Sequence, residues 1–254
     1  MRIVFTGTGT STGVPQVACT CTVCKSSQPK DQRRRCSVYV EAYGKHLVID
    51  SGPDFRNQMI DLGLKKLDAL LITHEHKDHI GGFDDIRGFN FANKNEAVNV
   101  YLNQRTYACI QRDFAYIFEE PKYPGIPQAN FHVIADNKFE AAGMEITPLE
   151  VMHYKLPVFG YRIGNFCYIT DVNFIPEKTA KKLENAEILV LSAVRWTPHI
   201  SHFTVDEAIE QIQKYGPKIG VITHLSHKIG LHEEVQKRLP KNIFLAYDGL
   251  TFEL

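Results

Sequence analysis

The chain lacks the features that would commit it to a membrane or to bulk nucleic-acid binding. Lys and Arg number 29, Asp and Glu number 29, and the formal net charge is +0. Such a balance gives no overall field toward a polyanion or an anionic bilayer, although a local basic face is compatible with it. No apolar run approaches the length of a bilayer-spanning helix. The opening residues Met1, Arg2, Ile3, Val4, Phe5, Thr6 and Gly7 turn polar too soon for the apolar core of a secretory signal. The expectation is a cytoplasmic chain with no membrane partner, whose 6 cysteines stay reduced or bind metal. Linkers and low-complexity tracts are also missing, so the 254 residues read as a single domain, 1–254, with a sizeable core.

What is present is concentrated chemistry. His74, His76, Asp78 and His79 form an H-x-H-x-D-H run. Three imidazoles and a carboxylate that close together cannot all find ordinary partners in a core. A divalent metal resolves the crowding, because neutral imidazole nitrogens and carboxylate oxygens are zinc and manganese ligands. The run follows an apolar, strand-length stretch at 67–73 and precedes a helix-like start at 80–86. Chemistry in α/β folds commonly sits at such a strand-to-helix handover.

Periodicity places early strands at 2–5, 37–41 and 46–49. Later ones fall at 98–102, 144–149, 159–163, 166–170, 188–191 and 219–223. Helices are expected at 53–62, 104–116, 176–183, 204–215 and 232–239, and a long loop at 117–130. Three apolar runs end alike, in Thr73-His74, Thr170-Asp171 and Thr223-His224. Two halves echo each other weakly, each with a strand ending in Asp50 or Asp171 and a following strand that leads into histidines. His153, just past the 144–149 strand, is the remaining ligand candidate.

The run and its order resemble the metallo-β-lactamase superfamily, which implies an α/β fold, an αββα sandwich. By resemblance, His74, His76 and His153 bind a first metal, and Asp78, His79 and His224 a second. Asp171 bridges them, and Asp50 orients a ligand histidine. Asp171 in place of Cys argues against the lactamase branch that bridges with Cys. Two ions about 3.5–4 Å apart hold a hydroxide nucleophile at neutral pH and neutralise substrate charge. Zinc and manganese both suit the ligands.

Cys19, Cys21 and Cys24 form C-x-C-x2-C at 19–24, a thiolate knuckle suited to one structural zinc. His227 is the preferred fourth ligand, with Cys36 and water as alternatives. The Gly/Thr/Ser-rich segment 8–15, the knuckle, the histidine run and the Thr223-His224-Leu225-Ser226-His227 stretch together resemble the PhnP family of cyclic phosphodiesterases. That family is similar to tRNase Z without its tRNA-gripping arm. PqqB proteins share the start and the knuckle but depart from the full ligand set.

The PhnP resemblance assigns His202, just before the 204–215 helix, as general acid, with His199 as a rival donor judged to be a spare surface residue. Other candidate contacts are the basic run Arg33, Arg34 and Arg35, the pocket-lining Tyr154, Tyr161 and Arg162, and amides of 6–13 facing an anion. His46, His132 and His232 read as structural or solvated. The expected function is hydrolysis of small phosphodiesters, cyclic phosphates of ribose or nucleotides, by a metal-dependent hydrolase. Catalytic roles fall to His202, Asp78 and Asp171. Carboxyl-ester, lactone or thioester hydrolysis on the same core is the enzymatic alternative, and a non-catalytic accessory of the PqqB type the other. Stable nucleic-acid binding and tRNA processing are disfavoured by the neutral charge and the missing arm. A homodimer is the assembly kept open.

Overall fold

The computed structural model describes residues 1–121 and 123–254. Strand β1 (Arg2–Gly7) sends Ile3 and Phe5 to one face and Val4 to the other. In β2 (Ser37–Ala42) and β3 (Lys45–Ile49), Val38, Val40, Leu47 and Ile49 share the first face, Tyr39 and Val48 the second. Side chains alternate across a strand, so a sheet apolar on both faces has to be covered on both. β4 (Ala69–Leu71), β5 (Val98–Leu102) and β6 (Ala129–Val133) extend this sheet in parallel from β3.

The second sheet begins with a long antiparallel meander, β7 (Phe139–Ala141), β8 (Met144–His153), β9 (Leu156–Ile163) and β10 (Phe166–Ile169). It continues in parallel through β11 (Ile188–Ser192), β12 (Ile219–Thr223) and β13 (Ile243–Leu245). The last strand, β14 (Thr251–Glu253), returns to the first sheet and lies antiparallel to β1. Among the described residues, each sheet therefore has 7 strands.

The core between the sheets joins Ile3, Phe5 and Leu71 of one to Tyr161, Tyr168 and Val221 of the other. Outside the first sheet lie α1 (Phe55–Asp61), α2 (Lys77–Ile80), α3 (Arg87–Ala92) and α4 (Gln104–Asp113). They are anchored by Phe55, Ile80, Phe89 and Ile110. Outside the second lie α5 (Glu177–Ala180), α6 (Val205–Tyr215) and α7 (His232–Gln236), with Val205, Ile212 and Val235 in its outer core. This is the expected αββα sandwich.

Two differences from the sequence expectations affect the site. β8 and β9 run well past 149 and begin before 159, with Val151 opposite Val158 and His153 opposite Leu156. Pro157 tolerates this because β10 pairs with β9 only from Tyr161 onward, so that end of β9 has β8 as its ladder partner. His153 is thereby placed at the tip of a long hairpin. The 117–130 loop contains a 3-10 turn, Ala115–Ile117, at its start and gives way to β6 at Ala129. Position 122 lies outside the described residues.

α6 begins with a reciprocal cap. Glu207 N donates to Thr204 Oγ1 at 3.2 Å, and Thr204 N donates to Glu207 Oε2 at 2.7 Å. The cap fixes where the chain leaves the loop that carries His202. Thr204→Ala is expected to lower the unfolding free energy by about 1 kcal/mol in urea titration. An unchanged midpoint would show that the cap is not what holds this helix start.

Candidate metal centre

The C-terminal ends of the parallel strands meet at one edge of the sandwich. Asp50 follows β3, His74 follows β4, Asp171 follows β10 and His224 follows β12. Asp50, Asp171 and His224 have φ of 67°, 50° and 59°. This left-handed backbone is costly for residues with a Cβ, of order 1–3 kcal/mol each. It turns each strand end sharply away from its ladder, and such strain gathers at functional sites.

The side chains converge in two groups that share a wall. His74, His76 and His153 bring ligand atoms within 4.8 Å of one another, and so do Asp78, His79, Asp171 and His224. Asp171 lies between them. Its Oδ2 is 3.2 Å from His79 Nε2 and 3.3 Å from His224 Nδ1. Its Oδ1 is 3.9 Å from His153 Nε2 and 3.8 Å from His202 Nδ1.

The rings are aimed from behind. His79 Nδ1 donates to Asp50 Oδ2 at 2.7 Å, which turns Nε2 into the site. Asp50 also accepts from Thr73 N at 2.8 Å and from Thr73 Oγ1 at 2.9 Å. Thr73 Oγ1 lies 3.0 Å from His74 Nδ1, so one buried carboxylate steadies two rings. His153 Nδ1 lies 2.8 Å from the Ser201 carbonyl. A carbonyl only accepts, so Nδ1 carries the proton and Nε2 presents its lone pair inward.

The donor set suits a cation. His79 Nε2 is buried 3.2 Å from both Asp78 Oδ2 and Asp171 Oδ2, with no satisfactory hydrogen bond. Burial would lower the His79 pKa, but Asp78, Asp50 and Asp171 together lift it well above its ordinary value. Burial would raise Asp171, but His224 and His79 hold it well below the usual carboxylate range. Burial and the neighbouring His79 push His74 well below its ordinary value, and burial lowers His224. His74 and His224 are thus neutral beside the ionised Asp171, as metal ligands must be, and a divalent cation would take the place of the proton that the carboxylates hold on His79.

A second cluster lies at the N-terminal loop. His227 Nδ1 is 3.1 Å from Cys19 Sγ, 3.4 Å from Cys21 Sγ and 3.4 Å from Cys24 Sγ. A hydrogen bond from the Cys24 amide lowers the Cys21 pKa to about 6. Cys36 is not part of this cluster. It is buried beside Thr223 Oγ1 at 3.5 Å, and burial pushes its thiol up to about 12.

Other candidates separate. His202 is 9% exposed beside Asp171, and its Nδ1 has no hydrogen-bond partner. His199 braces its own loop by accepting from Ser201 N at 3.2 Å. Arg33 points inward, donating to Thr8 Oγ1 at 3.0 Å and to the Ala246 carbonyl, with His232 alongside. Arg34 pairs with Asp61 and Arg35 with Asp54. Tyr161 is buried and donates to the Ile72 carbonyl, and Arg162 binds the Lys182 and Glu184 carbonyls, so neither lines the site. The Gly9, Thr10 and Gly13 amides bond to Arg34, Leu225 and Thr10 carbonyls and are not free for an anion. His46 bonds Tyr39 Oη and His132 bonds Asn99. Sequence reasoning missed the Ser201 carbonyl and Asn173, which ties Tyr154 N to the Ile200 carbonyl. Backbone groups carry no residue signal, and a single Asn has no spacing to betray it.

The family model for the beta-lactamase superfamily domain matches residues 45–225. An octanoyltransferase of Porphyromonas gingivalis (strain ATCC BAA-308 / W83) is 39% identical over 253 residues, covering 98% of this chain and 51% of that protein. The chain spans about half the length of the curated relatives it matches. A crystal structure described as a new diphosphatase from the PhnP family is similar with TM-score 0.93 and 39% identity, covering 100% of this chain and 98% of that one. Zinc-bound PqqB from Methylobacterium extorquens has TM-score 0.81 at 17% identity, covering 100% of both chains. Human tRNase Z, short form, has TM-score 0.70 at 18% identity, covering 100% of this chain and 99% of that one. The last two likenesses are of fold. The family model, and the sandwich with its strand-end site, show that this chain belongs to the beta-lactamase superfamily, with a PhnP-family protein of similar length as a relative.

Proposed function

We propose that the chain, as a single domain, is a metal-dependent phosphodiesterase acting on small phosphodiesters, cyclic phosphates of ribose or nucleotides. The observation that carries this reading is Asp171, one carboxylate with an oxygen toward each of two ligand groups. His74, His76 and His153 would hold one divalent ion, and Asp78, His79 and His224 the other, with Asp171 contributing to both. Two such ions, zinc or manganese, would supply an activated water at neutral pH and neutralise charge on the phosphoryl oxygens. Asp50 keeps His79 aimed at the site and, through Thr73, steadies His74. Cys19, Cys21, Cys24 and His227 would hold a structural zinc that pins the N-terminal loop beside the end of β12.

The role given to His202 is action on the leaving oxygen, supported by its position 3.8 Å from Asp171 Oδ1. Burial lowers its pKa to about 3, against the opposing pull of Asp171, so the resting ring is neutral. The negative charge of a bound phosphoryl group would raise that pKa, so that the ring takes up a proton from solvent with the substrate and passes it to the leaving oxygen, returning to the neutral state. His202→Ala is expected to keep the metal content. Its kcat should fall about 10²–10⁴-fold on a diester with a poor leaving group, and less with p-nitrophenolate, which needs little protonation. An equal loss on both substrates would assign His202 to phosphate binding, and metal loss would make it a ligand.

The two clusters should separate under mutation. Cys21→Ser is expected to lower the melting temperature more than it lowers turnover per folded molecule, because closed thiolate sites mainly stabilise folds. Full thermal stability with collapsed turnover would contradict a structural role for the knuckle.

A further inference from the structure

We propose that Thr10 is the positioning residue for His224, and that the glycine-rich N-terminal segment serves the metal centre through it. The inference rests on the two-ion reading and adds a residue to it. His79 is aimed by Asp50, His74 is steadied by Thr73, and His153 is held by the Ser201 carbonyl. His224 needs a partner of the same kind, because a ring that gives one nitrogen to a metal is oriented through the other.

The two nitrogens of the His224 ring face different groups. Nδ1 is 3.3 Å from Asp171 Oδ2, and Nε2 is 3.2 Å from Thr10 Oγ1. Thr170 Oγ1 also lies 3.4 Å from Nδ1, but its own proton goes to Asp171 Oδ2 at 2.7 Å. A ligand nitrogen presents a lone pair, so Nδ1 is the ligand atom and the proton of the neutral ring belongs on Nε2. There the Thr10 hydroxyl accepts it. His224 is 1% exposed, so solvent has little access to replace that acceptor.

The segment around Thr10 is tightly held. Leu225 N donates to the Thr8 carbonyl at 2.8 Å, and Thr10 N donates to the Leu225 carbonyl at 3.1 Å. The residue after His224 is thereby laced to both sides of Gly9. On the other edge, Gly9 N donates to the Arg34 carbonyl at 2.7 Å, and Cys36 N donates to the Gly9 carbonyl at 3.1 Å. A Cβ at Gly9 would stand 2.9 Å from the Arg33 carbonyl, and one at Gly7 would collide with the Arg35 carbonyl. Glycine permits that approach where any side chain would block it. The segment is therefore wedged between the Arg33–Arg35 backbone and Leu225. Further along, Cys19, Cys21 and Cys24 meet His227, three residues past His224, so the same two stretches of chain are joined a second time. The glycines and threonines at 6–13 thus have a use that involves no bound anion.

The test is a titration of metal-free protein with cobalt(II), a spectroscopic stand-in for zinc. Thiolate charge-transfer absorption reports the knuckle, and ligand-field bands report the histidine site. Thr10→Val keeps the shape of the side chain and removes the acceptor, whereas Thr10→Ser keeps the hydroxyl. In Thr10→Val, one of the two histidine-site ions is expected to bind about 10–100-fold more weakly, with the other ion and the knuckle unchanged. Thr10→Ser should bind all three as the unmutated protein does. Unchanged affinities in Thr10→Val would overturn the proposal, and so would an equally weak Thr10→Ser. A loss shared by the knuckle would also overturn it, because the valine would then have loosened the segment and not released the ring. Failure of the unmutated protein to take up two ions at the histidine site would instead remove the two-ion reading itself, and this proposal with it.

Discussion

The arrangement depends on the charge of Asp171. Its carboxylate is 2% exposed and lies within 3.9 Å of nitrogens from His79, His153, His202 and His224. A buried carboxylate is tolerated only where its charge is matched. Asp78 and Asp50 stand nearby, 3.2 Å and 2.7 Å from His79. His79 is the one ring in the cluster pushed strongly upward, while burial drives His74, His202 and His224 down. The pocket therefore gathers more carboxylate than imidazolium charge, with lone pairs aimed inward. Divalent cations would answer that imbalance, and in the proposed two-ion site the shared carboxylate would relieve the repulsion between them.

The fold serves this constraint. Parallel strands in both sheets end at the same edge, so Asp50, His74, Asp171 and His224 arrive from four different strands. The inter-sheet core brings Leu71, Ile49, Tyr168 and Val221 together just below them. That dense packing leaves the strand ends little freedom, which is how left-handed backbone at Asp50, Asp171 and His224 can persist. His153 comes from elsewhere, on the tip of the β8–β9 hairpin, and its position depends on the Ser201 carbonyl.

Much of this was legible in the sequence because it rests on local patterns. The H-x-H-x-D-H run, the three Thr-ligand strand ends and the C-x-C-x2-C knuckle each lie within a few residues. The start of the helix expected at 204–215 was equally local, and α6 begins at Val205 with Thr204 as its cap. The parts that escaped are non-local or short. β7, β13 and β14 have three residues each, too few for a period to emerge. β6 is a half-exposed strand whose apolar residues alternate with Asn130 and His132. The run Arg33, Arg34 and Arg35 reads as one basic patch, yet folding sends Arg33 into the core and pairs the other two with Asp61 and Asp54. Tyr161 and Arg162 fell outside the site because the strand's alternation put one in the core and the other on the outer surface.

The most direct test of the central claim is elemental analysis of metal-loaded Asp171→Ala beside the unmutated protein. The account predicts that the unmutated chain carries two ions at the histidine site and one at the knuckle, and that the variant keeps the knuckle ion and loses the pair, because its two groups no longer share a carboxylate. A variant that retains the full complement would show that Asp171 does not join the two groups.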